Sequence, residues 1–306
     1  MGKIAFVFSG QGAQYSGMGK SFYDMGTVAE NIYDEAEKVR EGTKNQSFFG
    51  SEEELKNTAN TQPCIYLAEM AGAALLNEAG IYADGVAGFS LGEIAALGYA
   101  KAYSLKDGFE IVTKRGLFMN EASKKADTAM CAVMKLDSDT VTKEASAFEK
   151  LYAVNYNCPG QTVVSGLKTS VDAFTKKVAS LGGRVVPLAV SAAFHSPFME
   201  DASEKFTSAL EDFEIKTPQI PVYANLTAKP YGDDVKGYLE NQMKSPVKWQ
   251  ETIENMIADG YTDFIEVGPG KTLCGLIKKI SKEVNVYQVQ DEDTLNLTIE
   301  AVKGNA

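Results

Sequence analysis

VAGFSLGEIAALGYA, residues 86–100, sets a short apolar strand against a helical repeat, with Gly88-Phe89-Ser90-Leu91-Gly92 at the junction. G-x-S-x-G between a strand and a helix is the context in which an α/β sheet presents a nucleophilic hydroxyl. The chain reverses so tightly at the serine that side chains two residues away on either side would collide, which is why both positions need glycine. Free N–H groups at the start of the following helix then favour developing negative charge. The competing reading makes Ser90 only a helix cap, because Ser90-x-x-Glu93 also fits a capping box.

The segments around this junction predict an α/β fold. KIAFVFSG (3–10) is a nearly continuous apolar run, as in a strand buried on both faces. Helices are expected at 21–40, 62–79 and Leu105 to Ala122, so strand alternates with helix and the sheet should be mostly parallel. From residue 123 the order becomes strand, helix, strand, strand, helix, strand, ending in RVVPLAV (184–190), which is the ferredoxin-like βαββαβ pattern. Alternation then resumes through IPVYAN, WQETIENMIADG, DFIEVG, KTLCGLIKKISK and VNVYQVQ. The expected organisation is a discontinuous large catalytic domain, 1–122 and 195–306, with a small ferredoxin-like subdomain inserted at 123–194. A ligand cleft is expected between them.

A chain of 306 residues can bury a full core. No stretch approaches the roughly 18 to 20 apolar residues of a membrane span, and MGKIAFVFSGQG lacks the features of a signal peptide, so a cytoplasmic location is expected. The 41 acidic residues against 30 basic ones argue against nucleic acid as a partner. Cys64, Cys131, Cys158 and Cys274 form no C-x-x-C pair, which argues against a metal site and predicts four buried free thiols. The chain has one histidine, so a neutral-pH imidazole base can only be His195.

His195 stands in AAFHSPFM, at the junction between the small unit and a helix that Ser196 and Pro197 can open. Next to an elbow serine it becomes a base, because a hydroxyl is a weak nucleophile until its proton is taken. Arg115 lies on the apolar stripe of its helix, with Ile111, Val112, Phe118 and Met119 one turn away. A guanidinium there needs an anion, either an internal Asp or Glu or a substrate carboxylate gripped by two parallel bonds. Gly10-Gln11-Gly12 ends the first strand at the sheet edge where the elbow should stand, so the Gln11 and Leu91 amides can form a two-donor oxyanion hole. Neither glycine motif fits a nucleotide, because Tyr15 replaces the third glycine of G-x-G-x-x-G and Ile265 replaces the first glycine of a P-loop before Gly270-Lys271-Thr272.

Together FVFSGQGAQ, GFSLGE, RGLFMN, NYNCPGQ, AFHS, SPVKW and EVGPGKTLCGL, in order along essentially the whole chain, resemble the malonyl-CoA:acyl-carrier-protein transacylase family. The resemblance implies an α/β-hydrolase-like domain with a ferredoxin-like insertion and a place in fatty acid biosynthesis. It implies acylation of Ser90, His195 as base, an oxyanion hole at Gln11 and Leu91, and a malonyl carboxylate on Arg115. The backbone carbonyl of Gln242 is expected to orient the histidine, while Asn157 and Gln161 face the cleft as structural or substrate-touching groups. Phe194 resembles the malonyl-selective form, with little room for an α-methyl group. Malonyl-CoA is then substrate, with no permanently bound cofactor and no metal. A phosphopantetheinylated acyl carrier protein is the partner, neither nucleic acid nor membrane is involved, and the enzyme is a monomer. Phe89 departs from the usual family histidine, which bears on local polarity and substrate entry.

Three rival readings frame this expectation. A trans-acting polyketide malonyl acyltransferase would use the same chemistry with another carrier. A serine esterase or thioesterase would usually place an acid between serine and histidine in chain order, and would leave Arg115 without a purpose. A non-catalytic carrier-docking subunit would not need both Ser90 and His195.

Overall fold

Strand β1 (Lys3–Phe8) buries every residue after its first, and it forms the centre of a five-stranded sheet. The computed structural model describes residues 2–190 and 192–304. The other strands of the chain are β2 (Gly85–Gly88), β3 (Thr128–Met134), β4 (Leu151–Cys158), β5 (Gln161–Leu167), β6 (Arg184–Pro187), β7 (Val222–Tyr223), β8 (Tyr261–Val267) and β9 (Asn285–Val289). The large sheet runs β7-β2-β1-β8-β9 and each adjacent pair is parallel. Phe8 pairs with Gly88, so the loops leaving β1 and β2 emerge side by side at the carboxyl edge, the usual ligand edge of an open α/β sheet.

The remaining strands form an antiparallel sheet in the order β4-β5-β3-β6. Relabelled in chain order this is 2-3-1-4, the ferredoxin-like arrangement. Its strand period of two divides the unit cleanly. Cys131 and Val133 on one face pack with Val141, Val171 and Phe174 of the helices Ser138–Ala145 and Lys168–Ser180. Met130, Ala132 and Val163 on the other face join the main core. That second face is turned toward the elbow. Backbone bonds from Tyr156 N–H to Val247 O (2.9 Å) and from Val247 N–H to Val154 O (2.8 Å) fasten the small sheet to the SPVKW segment.

Several expectations need correction. The strands read at 220–225 and 184–190 shrink to Val222–Tyr223 and Arg184–Pro187. The helix read at 21–40 is broken at Met25 and Gly26, where Gly26 adopts φ 82°. Beyond the expected elements the chain forms short helices at Thr43–Phe49 and Glu52–Lys56 and a long one at Glu292–Gly304. The last had a signal: the Asp291 carboxylate caps Thr294 N–H, and Leu295, Thr298 and Val302 form a buried stripe. Three thiols are buried, but Cys274 is only half-buried and lies 3.2 Å from Tyr287 O. No helix among the described residues is long and apolar enough to cross a membrane.

Candidate active site

The elbow is built as its glycines require. A Cβ on Gly88 would stand 1.9 Å from the Gly92 carbonyl carbon, and one on Gly92 would stand 2.4 Å from Phe8 O. Between them Ser90 takes φ 56°, a left-handed conformation that non-glycine residues occupy only when their surroundings impose it. Asn225, just beyond β7, imposes it here. Its Oδ1 accepts the Ser90 N–H at 2.8 Å and its Nδ2 donates to Gly88 O at 2.6 Å. The capping box does not form, because the helix starts at Gly92 without a side-chain cap and Glu93 bonds elsewhere.

Ser90 Oγ lies 2.7 Å from His195 Nε2. On the opposite ring edge Nδ1 faces the carbonyl oxygens of Gln242 and Ser245, both at 3.1 Å. Carbonyls only accept, so Nδ1 carries the proton and Nε2 is free to accept from serine. The expected Gln242 carbonyl is therefore present, and Ser245 adds a second. Burial, with Arg115 nearby, depresses the imidazole to about 4, so it is a neutral base at physiological pH.

Arg115 is fully buried. It donates from Nη1 to Gln62 Oε1 (2.9 Å), and from Nη2 to Gln242 Oε1 (2.7 Å) and Ser90 Oγ (3.2 Å). Among the described residues no carboxylate lies within ion-pair distance of it, and its Nε has no partner. Burial lowers it to about 10, which leaves it charged near neutrality. Gln11 lines the space beside Ser90 and Leu91 follows the serine in the chain, and among the described residues neither backbone N–H is engaged in a hydrogen bond.

A small cavity of about 80 Å³ contains Ser90 and His195 and is walled by Gln11, Phe89, Met119 and Phe194. Beside it a cavity of about 220 Å³ is lined by Gln11, Phe89, Asn155, Asn157 and Gln161. Asn157 and Gln161 thus stand on the cleft, one step from the serine, and Phe194 stands directly on the inner chamber. Asn155 Oδ1 and Asn157 Oδ1 are both buried without a hydrogen-bond partner. A wider concavity of about 770 Å³ is an open groove of charged side chains around Lys38 and Lys114, and contains neither Ser90 nor His195. Lys271-Thr272 opens a helix whose Leu273 and Cys274 N–H groups are already taken by Glu266, so no anion site remains there. Sequence reasoning missed Gln62, Asn225, Ser245 and the buried Glu93, all polar groups whose role exists only through long-range contacts.

A strand–elbow–helix serine beside an oriented neutral imidazole is a geometry suited to acyl transfer. The pattern of the Acyl transferase domain family matches residues 5–299. The malonyl CoA-acyl carrier protein transacylase of Bacillus subtilis (strain 168) is 41% identical over 99% of this chain and 98% of its own length. The crystal structure of the malonyl CoA-acyl carrier protein transacylase from Clostridium perfringens superposes with TM-score 0.95, at 34% identity over 99% and 98% of the two chains. A malonyl-transacylase solved in complex with its type II polyketide synthase acyl-carrier protein gives TM-score 0.94 at 32% identity, over 98% and 99%. The chain belongs to the malonyl CoA-acyl carrier protein transacylase family.

Proposed function

We propose that the protein moves malonyl from coenzyme A to the phosphopantetheine thiol of an acyl carrier protein, for fatty acid biosynthesis, through an ester on Ser90. The observation that carries this is Arg115, a buried cation with no carboxylate within ion-pair distance among the described residues, 3.2 Å from the Ser90 oxygen. An acyl group ending in a carboxylate supplies the missing charge; a neutral ester does not.

Ser90 Oγ attacks the thioester carbonyl as its proton passes to His195 Nε2. The Gln11 and Leu91 amides hold the oxyanion, and the Gln242 and Ser245 carbonyls steady the imidazolium through Nδ1–H. The C–S bond breaks and the imidazolium protonates the thiolate as coenzyme A leaves. A carrier thiol then gives its proton to His195 and attacks the Ser90 ester; the C–O bond breaks and the departing serine oxygen takes the proton back from the imidazolium. The chemistry is completed by serine and histidine, with malonyl-CoA as substrate and no resident cofactor or metal in any step.

Two buried acceptors, Asn155 Oδ1 and Asn157 Oδ1, support the same reading: a pantetheine arm carries two amide N–H groups and has to pass through the cavity they line. Asn155, Asn157 and Gln161 of the segment 123–194 line that cavity. The reading also takes the enzyme to be a cytoplasmic monomer. Intact mass measurement after mixing with malonyl-CoA should give a malonyl adduct that Ser90→Ala cannot form; an equal adduct on the variant ends the proposal. Hydrolysis outpacing transfer to a carrier would favour the thioesterase reading instead.

A further inference from the structure

Beneath the elbow lies a polar network that the steps above do not use. Glu93, in the helix Gly92–Tyr99, is 1% exposed and lines neither cavity. One of its oxygens accepts from Asn225 N–H at 3.2 Å and from the Tyr231 hydroxyl; the other accepts from Gln242 Nε2 at 2.7 Å. The same Nε2 donates to Ser90 O at 2.7 Å. Both hydrogens of the Gln242 amide are thereby committed, so Oε1 must point the other way, and there it accepts from Arg115 Nη2. The two ends of a carboxamide have nearly the same shape, and the acceptors on one side decide which end faces the guanidinium.

We infer that Glu93 is a positioning residue for substrate recognition: by fixing the Gln242 amide it holds Arg115 beside Ser90 and so sets the preference for a carboxylated acyl group. This rests on the malonyl-transfer reading and deepens it. A neutral amide at position 93 could donate as well as accept, which frees Gln242 to turn its NH2 group toward Arg115. Two donors would then face each other and the guanidinium would swing off the serine. Three donors converge on the Glu93 carboxylate, a geometry suited to its ionised form, although burial raises its pKa to about 7. Arg115, Tyr103 and Tyr231 are the charged or titratable groups coupled to it.

The test is Glu93→Gln, read by rates of Ser90 acylation from malonyl-CoA and acetyl-CoA and by a crystal structure of the variant. Malonylation should slow roughly tenfold, the effect of one hydrogen bond to a charged group, while acetylation changes less than about threefold. The Arg115 Nη2 to Gln242 Oε1 contact should be lost. Equal losses on both donors, or Arg115 and Gln242 unmoved in the variant, would overturn the inference. Glu93→Asp keeps the carboxylate but draws it back by one methylene from Gln242 Nε2, and it should give the same malonyl-specific loss, which settles the matter if Glu93→Gln does not fold. Should the wild type form no malonyl adduct, the functional reading fails, and the variant structure still decides whether Glu93 holds this pair.

Discussion

Ser90 Oγ and His195 Nε2 stand 2.7 Å apart, and both residues hold left-handed backbone conformations, at φ 56° and 59°. Each such conformation costs about 1–3 kcal/mol, and the costs are offset locally. Asn225 clamps the serine, and the His195 N–H donates to Met243 O at 3.0 Å. Strain at Ser90 and His195 is thus held by contacts from chain segments far from either residue.

The depressed imidazole makes the pH dependence of acylation testable. With acetyl-CoA, which gives Arg115 no carboxylate to bind, the rate of Ser90 acylation should stay level from pH 8 to about 6 and fall toward half only near pH 4. Stopped-flow measurement of the adduct checks this. An acid limb centred at the ordinary histidine value near 6.5 would mean that the imidazole is solvated before substrate enters.

The same shift ties His195 to stability. Its folded pKa lies below the unfolded value, so the stability it contributes is present above about 6.5 and is lost as pH falls toward 4. Glu93 has the opposite sign: its pKa is raised from 4.5 to about 7, so its contribution is present below 4.5 and is lost as pH rises through 7. Urea unfolding of His195→Gln across pH 4 to 7 should therefore show a shallower acid decline than the wild type. Parallel curves would show that the imidazole takes no part in the linkage.

Arg115→Ala should reduce malonyl transfer far more than acetyl transfer. A charged, two-pronged hydrogen bond to a carboxylate is worth about 3 kcal/mol, which is roughly a hundredfold in rate. Acetyl transfer should change by less than about fivefold. Steady-state rates on the two donors give the ratio, and equal losses would deny Arg115 its role.

What the sequence made legible follows from where the information sits. The elbow, the buried strands and the βαββαβ order are local patterns, read from G-x-S-x-G, from apolar runs and from alternation. Arg115 was legible because a charged residue on an apolar stripe is a local contradiction. Asn225, Gln62 and Glu93 were not: Asn225 closes a contact across 135 residues, and nothing in PVYANLT marks it. The two lone asparagine oxygens were only half visible: both residues lie in NYNCPGQ, but that their oxygens are left without donors depends on how β4 faces the cavity.

The elbow glycines should tolerate no methyl group. A Cβ on Gly92 meets Phe8 O at 2.4 Å and Ser9 O at 2.5 Å, both backbone atoms that cannot rotate aside. Gly92→Ala should therefore cost about 3 kcal/mol or more, at the upper end of overpacking. Gly12→Ala has open space around it, and its strain comes only from φ 106°. It should cost about 1 kcal/mol. Chemical denaturation of the two variants tests the contrast; equal losses would mean that the elbow relaxes more easily than its packing suggests.

Asn155 and Asn157 offer the last test, because they separate binding of the thioester arm from the chemistry. Their unpaired oxygens are buried, so each is destabilised until a donor arrives, and the amide N–H groups of a pantetheine arm are suitable donors. Coenzyme A and a carrier protein share that arm, so removing either asparagine should affect both half-reactions alike. Asn157→Ala, and separately Asn155→Ala, should raise KM about tenfold for malonyl-CoA and for the carrier, while kcat changes by less than about threefold. A loss confined to one donor would assign the residue to nucleotide or carrier contacts. A fall in kcat with KM unchanged would instead place these oxygens in the transition state, where the mechanism above has no use for them.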